Sequence, residues 1–153
     1  MKNVNWTIYH DNARGTGSAI RMELAPAAPI GVEGRLNIKI ANQIDADPRV
    51  PIFDWKEAVT ASLTAADVGE LVMVLRGIRE SIQDGKGIFM RAADGNRVFR
   101  AAHRVEPVPG YMITISFKPT DGEFRDAFFV IRPAEAIVME AALSAGMKEL
   151  VFG

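Results

Sequence analysis

Cysteine is absent from these 153 residues, and histidine occurs only twice, as His10 and His103. The first absence excludes disulfides and thiolate chemistry, and it fits a reducing compartment. Together the two scarcities exclude a His/Cys metal centre. A carboxylate-only site would call for a loop of the EF-hand kind, and none occurs. Long apolar runs are missing too. No stretch approaches the ~20 residues of a membrane-spanning helix. The N-terminal MKNVNWTIYHDN has no apolar core, unlike a secretory leader. The expectation is a cytoplasmic protein, nucleoid-associated if its source is bacterial, with no membrane partner. Net charge is nearly missing as well, at −1. The chain as a whole therefore offers no general attraction to polyanions.

Catalytic constellations are equally scarce. His10-Asp11 is half a dyad without any nucleophile motif such as G-x-S-x-G. RGTGSA, residues 14–19, has the glycine content of a phosphate loop but not the G-x-x-x-x-G-K-[ST] pattern. A strand pattern follows it, so no helix N-terminus is offered to a phosphate. It reads as a turn into a strand. Neither an enzyme nor a cofactor is expected.

What is present is ordinary globular composition, 48% hydrophobic and 24% charged, sized for one domain over residues 1–153. Period-2 alternation dominates. SAIRMEL sets Ile20, Met22 and Leu24 against Arg21 and Glu23. GRLNIKIAN sets Leu36, Ile38 and Ile40 against Arg35, Asn37 and Lys39. YMITISFKP sets Tyr111, Ile113, Ile115 and Phe117 against Met112, Thr114, Ser116 and Lys118. Each predicts a strand with one buried and one wet face. NWTIYH, DWKEAVTAS, GIFMRAA, RVFRAAHRVE and FRDAFFVIR are weaker strands. Asp94-Gly95-Asn96, Pro107-Val108-Pro109-Gly110 and Asp121-Gly122 supply turn chemistry between strands.

Two helices interrupt the strands. The first begins at Thr64, an N-cap residue with Asp67 in its first turn. Val68, Leu71, Val72, Leu75, Ile78 and Ile82 carry it at helical spacing toward a stop at Asp84-Gly85. The second begins at Pro133, with Glu135 following, and Gly146 is placed to break it before MKELVF. The order is β-β-β-β-α twice, an α+β fold with antiparallel sheets. The apolar helix faces (Leu71, Leu75, Ile78; Ile137, Ala141, Ala145) favour close helix approach between copies, and hence a homotetramer.

Charge is uneven along the chain. Residues 86–104 hold Lys86, Arg91, Arg97, Arg100 and Arg104 against Asp94 alone, while residues 105–153 are acidic on balance. Basic strand faces with exposed rings suit single-stranded nucleic acid, because bases stack on rings and phosphates meet Lys and Arg. Lys39 and Lys118 stand opposite apolar alternating residues and should face water. Arg100 lies in the most basic stretch. Arg14, Arg21 and Arg35 are further basic candidates, and Tyr9, Trp55 and Phe99 are the candidate rings. For Trp55 both roles stay open, packing beneath the sheet or stacking on a base, with Asp54 fixing the adjacent backbone by a side-chain hydrogen bond.

FDWKEAVTASLTAADVGELV, residues 53–72, resembles the Whirly family of single-stranded-DNA-binding proteins. The likeness rests on Phe53-Asp54-Trp55, the Ser62-Leu63-Thr64 junction and Val68-Gly69-Glu70-Leu71-Val72. It continues through VEPVPG (105–110), YMITISF, VIRPAEAIVMEAAL (130–143) and the terminal ELVFG, in the same order over about residues 9–153. The family's Lys-Gly-Lys-Ala-Ala-Leu element, linked to higher assembly, is matched only loosely by Arg14 to Ile20, and its final tryptophan is missing. The resemblance implies two crosswise four-stranded sheets, a homotetramer centred on its helices, and single-stranded DNA bound with little sequence preference in DNA repair, maintenance or transcription regulation. Folds related to it, positive cofactor 4 and guide-RNA-binding proteins, keep RNA binding open. A protein-binding assembly module on the same fold is the alternative that the net charge favours.

Overall fold

The computed structural model describes residues 4–29, 31–45 and 50–153. Its first sheet is an antiparallel meander of β1 (Val4–His10), β2 (Ser18–Ala25), β3 (Arg35–Asn42) and β4 (Val59–Leu63). Helix α1 (Ala65–Leu75) follows. A second meander then runs through β5 (Ile88–Ala92), β6 (Gly95–Arg104), β7 (Gly110–Pro119) and β8 (Arg125–Ile131), and α2 (Pro133–Phe152) closes the chain. The expected β4-α-β4-α order is the observed one. The alternation is also observed: Ile20, Leu36, Ile38, Ile40, Ile113 and Ile115 are buried, while Lys118 is exposed. The inner faces of both sheets and the buried stripes of both helices share one hydrophobic core.

Local chemistry sets the helix starts. Thr64 Oγ1 accepts from the Asp67 backbone N–H at 3.2 Å, and Asp67 Oδ2 accepts from the Thr64 N–H at 3.0 Å, a reciprocal capping box. In α2, Pro133 takes the first turn, and Glu135 accepts from the Arg132 N–H at 2.9 Å. The other end of α2 is tied down as well. Glu149 and Leu150 carbonyls accept from Ala27 and Gly34 N–H at 2.9 and 3.0 Å; Glu149 O also takes the Gly153 N–H, whereas Leu150 O lies in the last turn, where a helix leaves acceptors orphaned.

Three expectations about these elements are corrected. α1 ends at Leu75, short of Ile78 and Ile82. Gly77 takes φ +76°, its N–H bonds Val74 O, and the Ile78 N–H bonds Met73 O, which is a Schellman closure. Ile82 is buried, but from a separate turn, Ile82–Gly85, in which Gln83 and Asp84 take left-handed φ of +49° and +54°. Gly146 does not break α2. A Cβ there would lie 2.6 Å from Leu24 Cδ1, so the glycine serves close approach of the helix to β2. Third, the strand expected from Asp54 begins at Val59, because Trp55–Glu57 form a 3-10 turn.

Candidate nucleic-acid interface

Each sheet turns one face to the core and the other outward, and cross-strand register fixes what the outer faces hold. On the first sheet Thr7, Arg21, Lys39 and Thr60 form one row across β1 to β4, and Asn5, Glu23, Asn37 and Ser62 form the next. A third row is small: Tyr9 opposite Ala19 opposite Ala41. The β3–β4 connection folds back over this row. Asp54 N–H bonds Asn42 O at 2.9 Å, and the buried Phe53 packs with Ala19 and Ala41, with Trp55 and Ala58 against them. Tyr9 and Phe53 rings lie 5.4 Å apart. The sheet thus carries a second, small apolar cluster on its outward side.

Trp55 belongs to that cluster, so it is neither on a strand nor beneath the sheet. Its turn is held twice. Asp54 accepts from the Glu57 N–H at 3.4 Å, the side-chain bond expected of it. From β8, Arg125 Nη1 donates to the Glu57 carbonyl and to Glu57 Oε2 at 3.3 and 3.0 Å. The Arg21 guanidinium sits over the indole, 4.0 Å from its centroid, and Arg21 Nε donates to Thr7 Oγ1 at 3.1 Å.

Tyr9, Arg21, Arg35, Lys39 and Trp55 are therefore brought to one face. Arg14 stands apart, exposed at the tip of the β1–β2 connection. That connection is well ordered by side chains: Asn12 Oδ1 accepts from Arg14 and Thr16 N–H at 3.0 Å each, and buried Gln43 Oε1 accepts from Asn12 and Gly17 N–H.

On the second sheet Arg100 and Lys118 face outward and are exposed. Arg100 is partly engaged, donating from Nε to Gly85 O at 3.3 Å. Phe99 is a correction. It is 0% exposed and lies in the inward row Ile88, Phe99, Ile115, Ala127, so it is core and no platform for bases. The outward rings are Phe89 and Phe128, 56% and 57% exposed, which no motif marks in the sequence. Their signal was the same alternation. Phe99 is in phase with Ala101, whereas Phe128 lies between inward Ala127 and Phe129. The basic run of residues 86–104 is likewise split by pleat. Arg91 and Arg100 go outward, but Arg97 turns onto Phe117, 4.0 Å from its ring, and pairs bidentately with Asp94 at 2.9 Å. That hydrogen bond holds the Asp94 carboxyl below its usual pKa.

An open cleft of about 880 Å³ joins the two regions: Arg35, Lys39, Thr60 and Ser62 line it from the first sheet, and Phe89 and Arg91 from β5. Glu23 and Asp67 also line it, so it is a mixed and not a purely cationic groove. His10 lies elsewhere, stacked on Phe129 at 4.3 Å, with Nε2 2.8 Å from Glu135 Oε2. It joins β1 to the start of α2. Among the described residues no acidic, His or Cys cluster is placed to hold a metal, and no helix is long and apolar enough to cross a membrane.

No protein-family model matches the chain, and no curated protein matches it. Solved structures do. WHY1 from Arabidopsis thaliana superposes with a TM-score of 0.77 at 20% identity, over 99% of this chain and 87% of that one. WHY3 from Arabidopsis thaliana gives 0.74 at 21% identity, over 96% and 88%. The plant transcriptional regulator PBF-2 gives 0.74 at 17% identity, over 98% and 83%. The chain has the fold of these Whirly proteins.

Proposed function

We propose that this protein binds single-stranded DNA with little sequence preference, as a homo-oligomer. The observation that carries the reading is the outer face of the first sheet, where Tyr9 and Trp55 share a surface with Arg21 and Lys39. That surface continues through the cleft to Phe89 and Arg91. Rings meet bases and cations meet phosphates, contacts that a strand of any sequence offers, so affinity follows mainly from stacking and charge. A duplex hides the base faces and gains only the charge. The fold shared with a plant transcriptional regulator supports a role in transcription or DNA maintenance.

Assembly rests on α2. Ile137, Val138, Ala141, Ala142 and Ala145 are exposed along one helix, with Phe152 at its end. An apolar face of this length suits further copies of the same helix, packed with closed symmetry into a homo-oligomer. The same face supports the second reading, a protein-binding assembly module. Fluorescence anisotropy with oligothymidine, matched RNA and duplex DNA, beside light scattering, tests both. The proposal expects single-strand preference and an oligomer. A monomer that binds none of the three would overturn it, and a monomer that binds a protein partner through α2 would establish the alternative.

A further inference from the structure

Trp55 is held by its own turn and by β8, yet one face of its ring is already covered. The Arg21 guanidinium lies 4.0 Å from the indole centroid. The indole also packs with the Ala19, Ala41 and Phe53 cluster. Arg21 Nε donates to Thr7 Oγ1 at 3.1 Å, which fixes the guanidinium from the neighbouring strand. A base arriving over this position meets the guanidinium first. To reach the indole it would have to break the Thr7 bond and the cation–π pairing together.

We infer that Arg21 itself is the stacking surface of the first sheet: a nucleobase lies on the guanidinium face turned away from Trp55, making a layered stack of indole, guanidinium and base. The inference rests on the single-strand reading above. A guanidinium is planar, weakly hydrated and stacks on π-faces, whereas an ammonium does not. Trp55 and Thr7 are then positioning residues. The indole sets the plane and the hydroxyl sets its rotation. Lys39 stands next to Arg21 across β2 and β3 and lines the cleft, where it meets the phosphate beside the stacked base. The arrangement is indifferent to base identity, since every base has a π-face.

Arg21→Lys keeps the charge and removes the plane, and Thr7→Val keeps both and removes the orienting acceptor. Each is measured against oligothymidine and against the same sugar-phosphate backbone carrying abasic sites, over a salt series, with thermal melting as the check on folding. Arg21→Lys should lose about fivefold to thirtyfold in affinity for oligothymidine with an unchanged salt slope. On the abasic strand it should lose less than about twofold, the size expected if only a point charge is retained there. Thr7→Val should shift affinity in the same direction by a smaller factor. Equal losses on both strands, or no loss on oligothymidine, would overturn the layered stack while leaving single-strand binding intact. A wild-type protein that binds neither strand would remove the functional reading, and this inference with it.

Discussion

The two outer sheet faces are built in different ways. On the first sheet the β3–β4 connection folds back and installs Phe53 and Trp55 over small residues, and β8 ties the turn in place through Arg125. On the second sheet Phe89 and Phe128 simply stand on outward strand positions. One face is assembled by tertiary packing, and the other is written strand by strand. A supported ring has little ordering entropy left to lose when it binds, and an open ring has more. The difference therefore separates preorganisation from mere exposure within one chain.

The largest effect that can sharpen this comparison is on stability. Phe99→Ala empties a fully buried core position and should cost about 3–5 kcal/mol. Phe128→Ala, from an exposed site, should stay within about 0.5 kcal/mol and lower single-strand affinity instead. Urea titration beside anisotropy separates the two. A mild Phe99→Ala with impaired binding would reverse the assignment of inner and outer rings.

Charge removal comes next. Lys39 lies in the cleft and Lys118 on the second sheet. If a strand crosses both faces, Lys39→Ala and Lys118→Ala should each reduce the salt slope by about 0.7 for every phosphate left without its cation. A changed slope for Lys39→Ala alone would confine the DNA to the first sheet and the cleft.

A smaller effect is expected from Asp54→Ala, which deletes the cap of the Trp55 turn. By analogy with helix caps it should cost about 0.5–1 kcal/mol. Because the turn carries Trp55, affinity should fall with it, and the comparable change at the second sheet, Asp94→Ala, should leave affinity alone. The smallest effect is on pH. The Asp94 carboxyl is held below its ordinary pKa by Arg97. Its contribution is present above the ordinary carboxylate pKa and disappears as pH falls through the lowered one. Asp94→Asn should therefore flatten slightly the acid limb of a melting curve. An unchanged limb would mean that solvent screening erases the pair.

Much of the fold was legible because one rule governs it. Alternation placed Ile20, Leu36, Ile38 and Ile113 inside and Lys118 outside, and Thr64 with Asp67 announced α1. The misses occur where that rule meets a competing one. Ile78 and Ile82 keep helical phase with α1, but the left-handed Gly77 ends the helix and Ile82 is buried from another turn. Gly146 is a breaker by propensity, yet packing against Leu24 overrides propensity. The site was legible in part. Tyr9, Arg21, Arg35 and Lys39 share the expected outward face, since strand parity decides it. Phe99 was misplaced by the same parity read without its neighbours. Trp55 was beyond local reading, because only the fold-back that also buries Phe53 brings it onto Arg21.

Photo-crosslinking of oligothymidine, with the crosslinked peptides located by mass spectrometry, tests the outer-face account most directly. Crosslinks should fall on β1, β5 and β8, at Tyr9, Phe89 and Phe128. Crosslinks confined to α2 or to the 105–109 loop would contradict it.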